Sequence, residues 1–288
     1  MVKVSIILPT CNGELYIKES LDSILKQTYT NWELIIVNDC SSDSTLDIIN
    51  EYKSIDSRIK VINNEVNLKL PKSLNIGFAQ AKGEYFTWTS DDNIFKPQAI
   101  ETMVNFLEKN PNVDLVSCKY DEIDENGKIL NTIDKHNKRN IHRFLRRNII
   151  GACFMYTKKI ADKIGLYDEN TFCAEDYDYW FRIALVGNIK FINECHYQYR
   201  FNSNSLSSTK QNLVKKKILE VRELYIPKLM TKLGYDECKK IKTLIELYLR
   251  DPSEIIWLKL CLDINTKSFI KILLLNPYYI FKIFTKNK

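Results

Sequence analysis

An α/β fold, with a mixed sheet flanked by helices and a helical appendage at the carboxyl end, is what these 288 residues predict. Three features of the pattern predict it. Short apolar runs alternate with helical-period segments to about residue 118, as in a doubly wound sheet. A hairpin signal and further strand-like pieces then change the character of the pattern. After Lys210 the spacing is helical throughout.

Taken in order, Val4–Leu8 is apolar apart from Ser5 and closed by Pro9, the look of a buried parallel strand. Leu15, Ile17, Leu21, Ile24 and Leu25 follow at helical spacing, and Trp32–Val37 is a second strand ending at Asn38-Asp39. Asp43 or Ser44 is placed to cap a helix carrying Leu46, Ile48 and Ile49. Arg58–Asn63 is a third strand. Pro71 suits the first turn of a helix running to about Ala81. Glu84–Thr89 is a fourth strand, Pro97 opens another helix, and Val113–Cys118 is a fifth strand. Asn126-Gly127 marks a hairpin within Tyr120–Thr132. A short helix near Ile141–Arg147, a strand near Ala152–Tyr156, a helix from about Glu175 to Val186, and strands at Ile189–Ile192 and Tyr197–Phe201 complete this part. The boundary falls at Lys210, giving domains 1–209 and 210–288, the first dividing near residue 118.

Hydrophobic residues at 45% and charged residues at 27% exclude a disordered chain. The 17 basic and 8 acidic residues from Lys210 onward contrast with 25 and 28 before it, so a near-neutral part carries a basic tail. Such a tail suits nucleic acid or an anionic membrane surface. The eight cysteines are scattered, without a C-x-x-C pair, which argues for free thiols in a reducing cytoplasm and against zinc. The chain runs directly into its first strand, leaving no room for a signal peptide.

Ligands of open α/β sheets lie beyond the carboxyl ends of strands. Polar clusters fall at three such ends: Thr10-Cys11-Asn12 after Pro9, Asn38-Asp39, and Ser90-Asp91-Asp92-Asn93. Adjacent carboxylates after a buried strand suit a hard divalent cation that holds a diphosphate. Asp-Asp-Asn also suits a plain helix cap, as does Asp39. The first loop lacks G-x-G-x-x-G, and no P-loop or G-x-S-x-G elbow exists, which disfavours dehydrogenases, P-loop enzymes and serine hydrolases. A further cluster, Ala174-Glu175-Asp176-Tyr177-Asp178-Tyr179-Trp180, opens a helix. Acids there favour the helix dipole, and a carboxylate in a cleft is equally a workable general base.

Over roughly its first two-thirds the chain resembles family-2 glycosyltransferases. The resemblance rests on ordered motifs: residues 4–12 (VSIILPTCN), 23–29 (SILKQTY), 32–39 (WELIIVND), 74–85 (LNIGFAQAKGEY), 90–93 (SDDN), 174–180 (AEDYDYW) and 199–207 (YRFNSNSLS). It implies a GT-A fold, a Rossmann-like mixed sheet flanked by helices, with a nucleotide-sugar half (about 1–118) and an acceptor half (about 119–209). It implies a nucleotide-sugar donor, a UDP-sugar, and a glycan or lipid-linked acceptor in surface polysaccharide or glycan synthesis, with inversion by single displacement. By the same resemblance Asp39 contacts the uracil ring, Asp91 the ribose, and Asp92 ligates Mn²⁺ or Mg²⁺. Asp176 is the base toward the acceptor, with Glu175 and Trp180 on the acceptor side. Pro9, Thr10, Cys11, Asn12, Asn67, Lys72 and Asn75 surround the nucleotide.

Three positions depart from the family pattern. Cys11 stands where many relatives have an aromatic, Thr89 where many have another acid, and Asn202 where many have a His. A non-catalytic nucleotide-sugar-binding relative is the alternative they raise. A nucleotidyltransferase is disfavoured because Pro9–Glu14 lacks an Arg. In the tail, Ile255–Leu262 and Phe269–Phe284 are apolar but punctuated by lysines, and too short to span a bilayer. They suit either a segment lying on an anionic leaflet or a packing face. The expected protein is cytoplasmic, peripheral on the inner face of a membrane, with no nucleic-acid partner.

Overall fold

The structure, a computed structural model, describes residues 3–134, 141–203, 205–251 and 254–285. It divides into two compact units. One comprises Met1–Ile141 and Asn148–Lys217, the other His142–Arg147 and Ile218–Lys288.

The first unit opens with β1 (Val4–Thr10), α1 (Ile17–Leu25), β2 (Trp32–Asn38), α2 (Thr45–Ile55), β3 (Ile59–Asn63), α3 (Leu70–Ala79) and β4 (Tyr85–Trp88). β1 pairs in parallel with β2 and β4, and β2 with β3. Every residue of β1 and β2 is buried, as strands covered on both faces require. Ser44 stands at the N-cap of α2 without a side-chain cap bond, and Asp43 before it accepts from the Thr45 N–H through Oδ1 at 3.0 Å. Pro71 sits in the first turn of α3. Because β1, β2 and β4 run the same way, the loops that follow them share the carboxyl edge of the sheet.

β5 (Ile94–Phe95), α4 (Ala99–Lys109), β6 (Leu115–Ile123), β7 (Ile129–Ile133), a 3-10 turn (Ile141–Leu145), β8 (Phe154–Thr157), α5 (Lys158–Ile164), α6 (Glu175–Val186) and β9 (Ile189–Arg200) follow. The strand order is β3-β2-β1-β4-β8-β6-β9-β5, with β7 on β6. β8 is antiparallel to β4 and β6, so the sheet is mixed. The hairpin turns at Gly127, whose φ of +81° lies in the left-handed region.

Two features depart from the sequence pattern. Ile189–Ile192 and Tyr197–Phe201 belong to one strand, β9, and not two. Its register against β6 shifts between Ser117 and Lys119, where Phe191 and Cys195 are the successive partners. A bulge there turns the polar Asn193-Glu194 step outward without ending the pairing. α5 has no strong apolar period, but Thr157 caps it by accepting from Ile160 N–H at 3.2 Å, and it closes at Gly165. All eight cysteines are free.

α7 (Leu206–Thr209) precedes α8 (Gln211–Lys232), which carries the chain from the first unit into the second. α9 (Glu237–Arg250), α10 (Ile256–Leu275) and α11 (Pro277–Thr285) complete it. Its core includes Ile226, Leu229, Met230, Ile241, Leu244, Trp257 and Cys261. Arg222 and Glu254 form a buried ion pair at 2.9 Å, and Glu254 also accepts from the Trp257 indole. Removing one member leaves the other charge buried and unpaired. Glu254→Ala is therefore expected to lower unfolding free energy by about 3–5 kcal/mol. The double change Arg222→Met with Glu254→Gln, which removes both charges and keeps an acceptor for the indole, lowers it far less. Chemical denaturation compares the two.

Candidate functional site

The loop after β1 is laced to the loop after β2. Asn12, at φ +58°, donates its N–H to Ser41 Oγ at 3.0 Å, and its side-chain Oδ1 accepts from Ser42 N–H at 2.8 Å. Gly13 N–H donates to Thr45 Oγ1 at 2.8 Å, and Ser44 N–H to Glu14 Oε2 at 3.0 Å. Gly13 admits no side chain, because a Cβ there would overlap the Asp91 carboxylate and lie 2.7 Å from Thr10 Oγ1. Polar groups of two loops are thereby satisfied by each other, which fixes the carboxyl edge where a ligand would sit.

Asp39 is buried at this edge and shapes its wall. Oδ1 accepts from Asn64 Nδ2 and Leu68 N–H, each at 2.8 Å, while Oδ2 accepts from Lys69 N–H at 2.9 Å. A carboxylate offers about four lone-pair positions, so about one remains for a ligand N–H. The chain turns sharply there, with Lys69 at φ +72°. The turn brings Asn67 to Cys11, Nδ2 to Sγ at 3.1 Å. Burial, the larger effect, pushes the Cys11 thiol up although Asn67 opposes it.

Beyond β4 stand Asp91 and Asp92. Asp91 Oδ2 accepts the Thr10 hydroxyl, and the Cys11 N–H also serves this carboxylate. Burial nevertheless raises Asp91 above the ordinary carboxylate range. Asp92 is pushed up to about 7, first by burial and then by the neighbouring Asp91 charge. Two adjacent buried carboxylates, one of them raised by the charge of the other, form a site where a cation is favoured. Among the described residues no group of three or more His, Cys, Asp or Glu is set to hold a metal. A divalent cation would thus take a carboxylate oxygen from Asp92 and complete its shell from ligand oxygens and water, which the donor set fits.

Arg200 holds this loop from behind, and the sequence motifs did not single it out as a site residue. It is only 1% exposed. Nε donates to the Asp92 carbonyl at 3.0 Å, Nη1 to the carbonyls of Asp124 and Glu125, and Nη2 to Glu19 Oε2 at 2.6 Å. Its own N–H donates to Asn93 Oδ1 at 2.9 Å. The signal was its place in residues 199–207, but its partners lie up to 181 residues away in sequence. Thr89, buried, bonds the Tyr197 hydroxyl at 2.6 Å, which ties the same loop to β9.

The second cluster is the start of α6. Glu175 is buried and its Oε2 accepts from Cys173 N–H at 2.7 Å. Burial, then the Asp176 charge, pushes Glu175 up to about 8. Asp176 is half-buried, and its Oδ2 accepts from Asn148 Nδ2 at 3.0 Å. Asn148 is in turn fixed by accepting from Ile150 N–H at 3.1 Å. Asp178 is committed to Arg182 at 2.7 Å. Aromatic contacts connect α6 to the sheet: the Trp88 ring meets Phe154 edge-on at 5.6 Å, and Phe154 meets Trp180 at 4.5 Å.

Thr10, Cys11, Asn12, Asp39, Asn67, Asp91 and Asp92 are thus gathered along one sheet edge, with Pro9 buried at the end of β1. Two expectations need correction. The Asn75 amide does not face a nucleotide, since Nδ2 donates to the Tyr167 carbonyl at 2.9 Å and Oδ1 accepts from Tyr167 N–H at 2.8 Å. Trp180 does not line an acceptor surface, because its ring is fully buried among Phe154, Tyr156 and Tyr179. Lys72 points toward Glu169 at 4.0 Å, both side chains being substantially exposed.

The family described as Glycosyl transferase family 2 matches residues 5–165. A Bacillus subtilis relative, TuaG, whose name places it in teichuronic acid biosynthesis as a glycosyltransferase, is 30% identical over 229 residues, covering 77% of this chain and 88% of its own. Staphylococcus aureus TarS 1–349, solved with UDP-GlcNAc, superposes with a TM-score of 0.67 at 22% identity over 87% of this chain and 73% of that one. The mannosyltransferase PcManGT of Pyrobaculum calidifontis, solved with GDP-Man and Mn²⁺, gives a TM-score of 0.60 at 18% identity over 99% and 86%.

The Glu175 shift has a consequence for stability. The folded chain keeps a proton that an unfolded one releases near the ordinary 4.5. The contribution to stability is full below that pH and is lost as pH rises toward about 8. Glu175→Gln is expected to flatten the fall in stability across this window, measured by denaturant unfolding at a series of pH values.

Proposed function

Because the chain belongs to glycosyl transferase family 2, whose sheet architecture it shares with GT-A enzymes, we propose that it transfers a sugar from a nucleoside diphosphate to an acceptor hydroxyl with inversion. The observation that carries this reading is the Asp91–Asp92 pair at the carboxyl end of β4, with raised proton affinities and a backbone anchored by Arg200. Such a pair suits the cation that accompanies a diphosphate. A bound Mn²⁺ or Mg²⁺ supplies positive charge that neutralises the departing diphosphate.

The chain's own residues take the remaining roles. Asp39 receives a ring N–H of the base on its free lone pair, an arrangement that suits the N3–H of uracil and hence a UDP-sugar. Asn67 and Cys11 line the same wall. Asp91 accepts from ribose hydroxyls, and Asp92 faces the diphosphate cation. Asp176, oriented by Asn148, takes the acceptor's proton as its oxygen attacks the anomeric carbon. The carbon–oxygen bond to the diphosphate breaks in the same step, so no enzyme nucleophile is needed and the configuration inverts. The TuaG relationship supports an acceptor in surface polysaccharide synthesis, a glycan or lipid-linked glycan met at the cytoplasmic face of a membrane. Hexosyl or N-acetylhexosaminyl donors fit this reading. Cys11, in place of an aromatic base-stacking residue, favours the second reading of a non-catalytic nucleotide-sugar binder.

Metal-dependent release of UDP from one of a panel of sugar nucleotides separates the two readings, since a binder shows thermal stabilisation without release. Asp176→Asn should cut turnover by about 10²–10⁴-fold while leaving donor-induced stabilisation intact. Asp92→Asn should abolish the metal dependence of that stabilisation. NMR of the product's anomeric configuration tests inversion directly, and retention would sink the single-displacement mechanism. Arg200→Lys keeps the charge but not the planar fork. It is expected to raise the Mn²⁺ concentration for half-maximal stabilisation by about 10–100-fold.

A further inference from the structure

The apolar tail lends itself to both packing and lipid contact, and past a break in α10 its apolar residues divide between a buried and an exposed face. α10 breaks at Asn265, whose φ of −169° and ψ of 110° are not helical. Past the break Phe269 and Ile272 are buried, at 8% and 6% exposure. Lys267, Ile270, Lys271 and Leu274, spaced three and four apart, occupy the other face and are exposed. Ile270 is 50% exposed and Leu274 71%, and Tyr278 and Phe281 on α11 are 58% and 63%. Past the break Ile270, Leu274 and Leu275, half of the large apolar residues of that segment, are turned to solvent, the mark of an interaction surface.

Charge identifies that partner. Asp263 is the last acidic residue of the sequence, and five lysines follow it. Lys267 and Lys271 lie within the apolar stripe itself, where long stems can follow the apolar surface while the ammonium groups reach outward. A second copy of the chain would set these lysines against like charge with no carboxylate from this stretch to answer them. A sheet of anionic headgroups above an acyl layer answers both the charge and the apolar area. No helix among the described residues is long and apolar enough to cross a membrane, so the contact is with a surface.

We propose that the face formed by Lys267, Ile270, Lys271, Leu274, Tyr278 and Phe281 docks on an anionic phospholipid surface. This deepens the proposed placement of the acceptor at a membrane, and it is read by binding alone, apart from catalysis.

The test is co-sedimentation of the full chain with phosphatidylcholine vesicles with and without phosphatidylglycerol, at low and high salt. Binding should need the anionic lipid and weaken with salt. Lys267→Glu with Lys271→Glu, and separately Ile270→Asn with Leu274→Asn, should each reduce it by about tenfold or more. Both pairs are exposed, so melting temperature and UDP release with a water-soluble acceptor should stay unchanged. Loss of UDP release from the unaltered chain, with vesicle binding intact, would count against the catalytic reading and leave this one standing. Equal binding to neutral vesicles, or binding indifferent to both pairs, overturns the proposal. So does a concentration-dependent dimer in sedimentation that Ile270→Asn with Leu274→Asn abolishes, because a second copy would then cover the face.

Discussion

A guanidinium buried to 1% exposure must find partners for its five N–H groups, and Arg200 finds them in three parts of the chain. It reaches the carbonyl of Asp92, the turn at Asp124 and Glu125, and the Glu19 carboxylate on α1, with the Tyr16 ring 4.4 Å away. The turn between β6 and β7 and helix α1 are thereby fixed relative to the Asp91–Asp92 pair. Burial opposes ionisation of both carboxylates and the Asp91 charge adds to it at Asp92, and a backbone tied this firmly cannot swing away to relieve it. The lacing of Asn12, Gly13 and Glu14 to the neighbouring loop has the same effect from the other side.

The three acids at the start of α6 show how position separates identical chemistry. Asp178 is neutralised by Arg182 on its own helix. Glu175 lies in the interior, and burial keeps its proton on well above the usual range. Asp176 stays half-buried, with the Asn148 amide on Oδ2 and the Tyr177 N–H on Oδ1. A protonated neighbour adds no negative charge beside Asp176, so a single carboxylate there is presented without a competing one.

Much of the fold could be read from short-range pattern. β1 and β2 are largely apolar because both faces are covered, the buried Ser5 and Glu33 bonding each other, and α6 begins and ends where its acids and Gly187 mark it. Asp39, Asp91 and Asp92 stand out as candidates because they follow buried parallel strands, where ligands gather and where a helix cap is the other use of such acids. What escaped depends on distant partners. The destination of Asn75 is a loop 92 residues away, and the bulge in β9 is visible only against β6. Trp180 looked like a possible acceptor platform in a linear motif, yet its helix turns it inward. Asn148, which orients Asp176, lies in an unremarkable stretch that no local period distinguishes.

The three bonds that Asp39 makes to the 64–69 turn bear on how such a protein can change its donor. A residue that only touched the base could be exchanged freely during evolution to suit another nucleotide. Here the same carboxylate secures Leu68 and Lys69, the latter in a backbone conformation that β-carbon-bearing residues resist. Under the proposed assignment, altering Asp39 would release the wall along with any contact to a base. Asn67 is bound to the same turn, accepting from Lys69 N–H at 3.2 Å, so adaptation to a new base would fall to Cys11, whose thiol meets only the Asn67 side chain there.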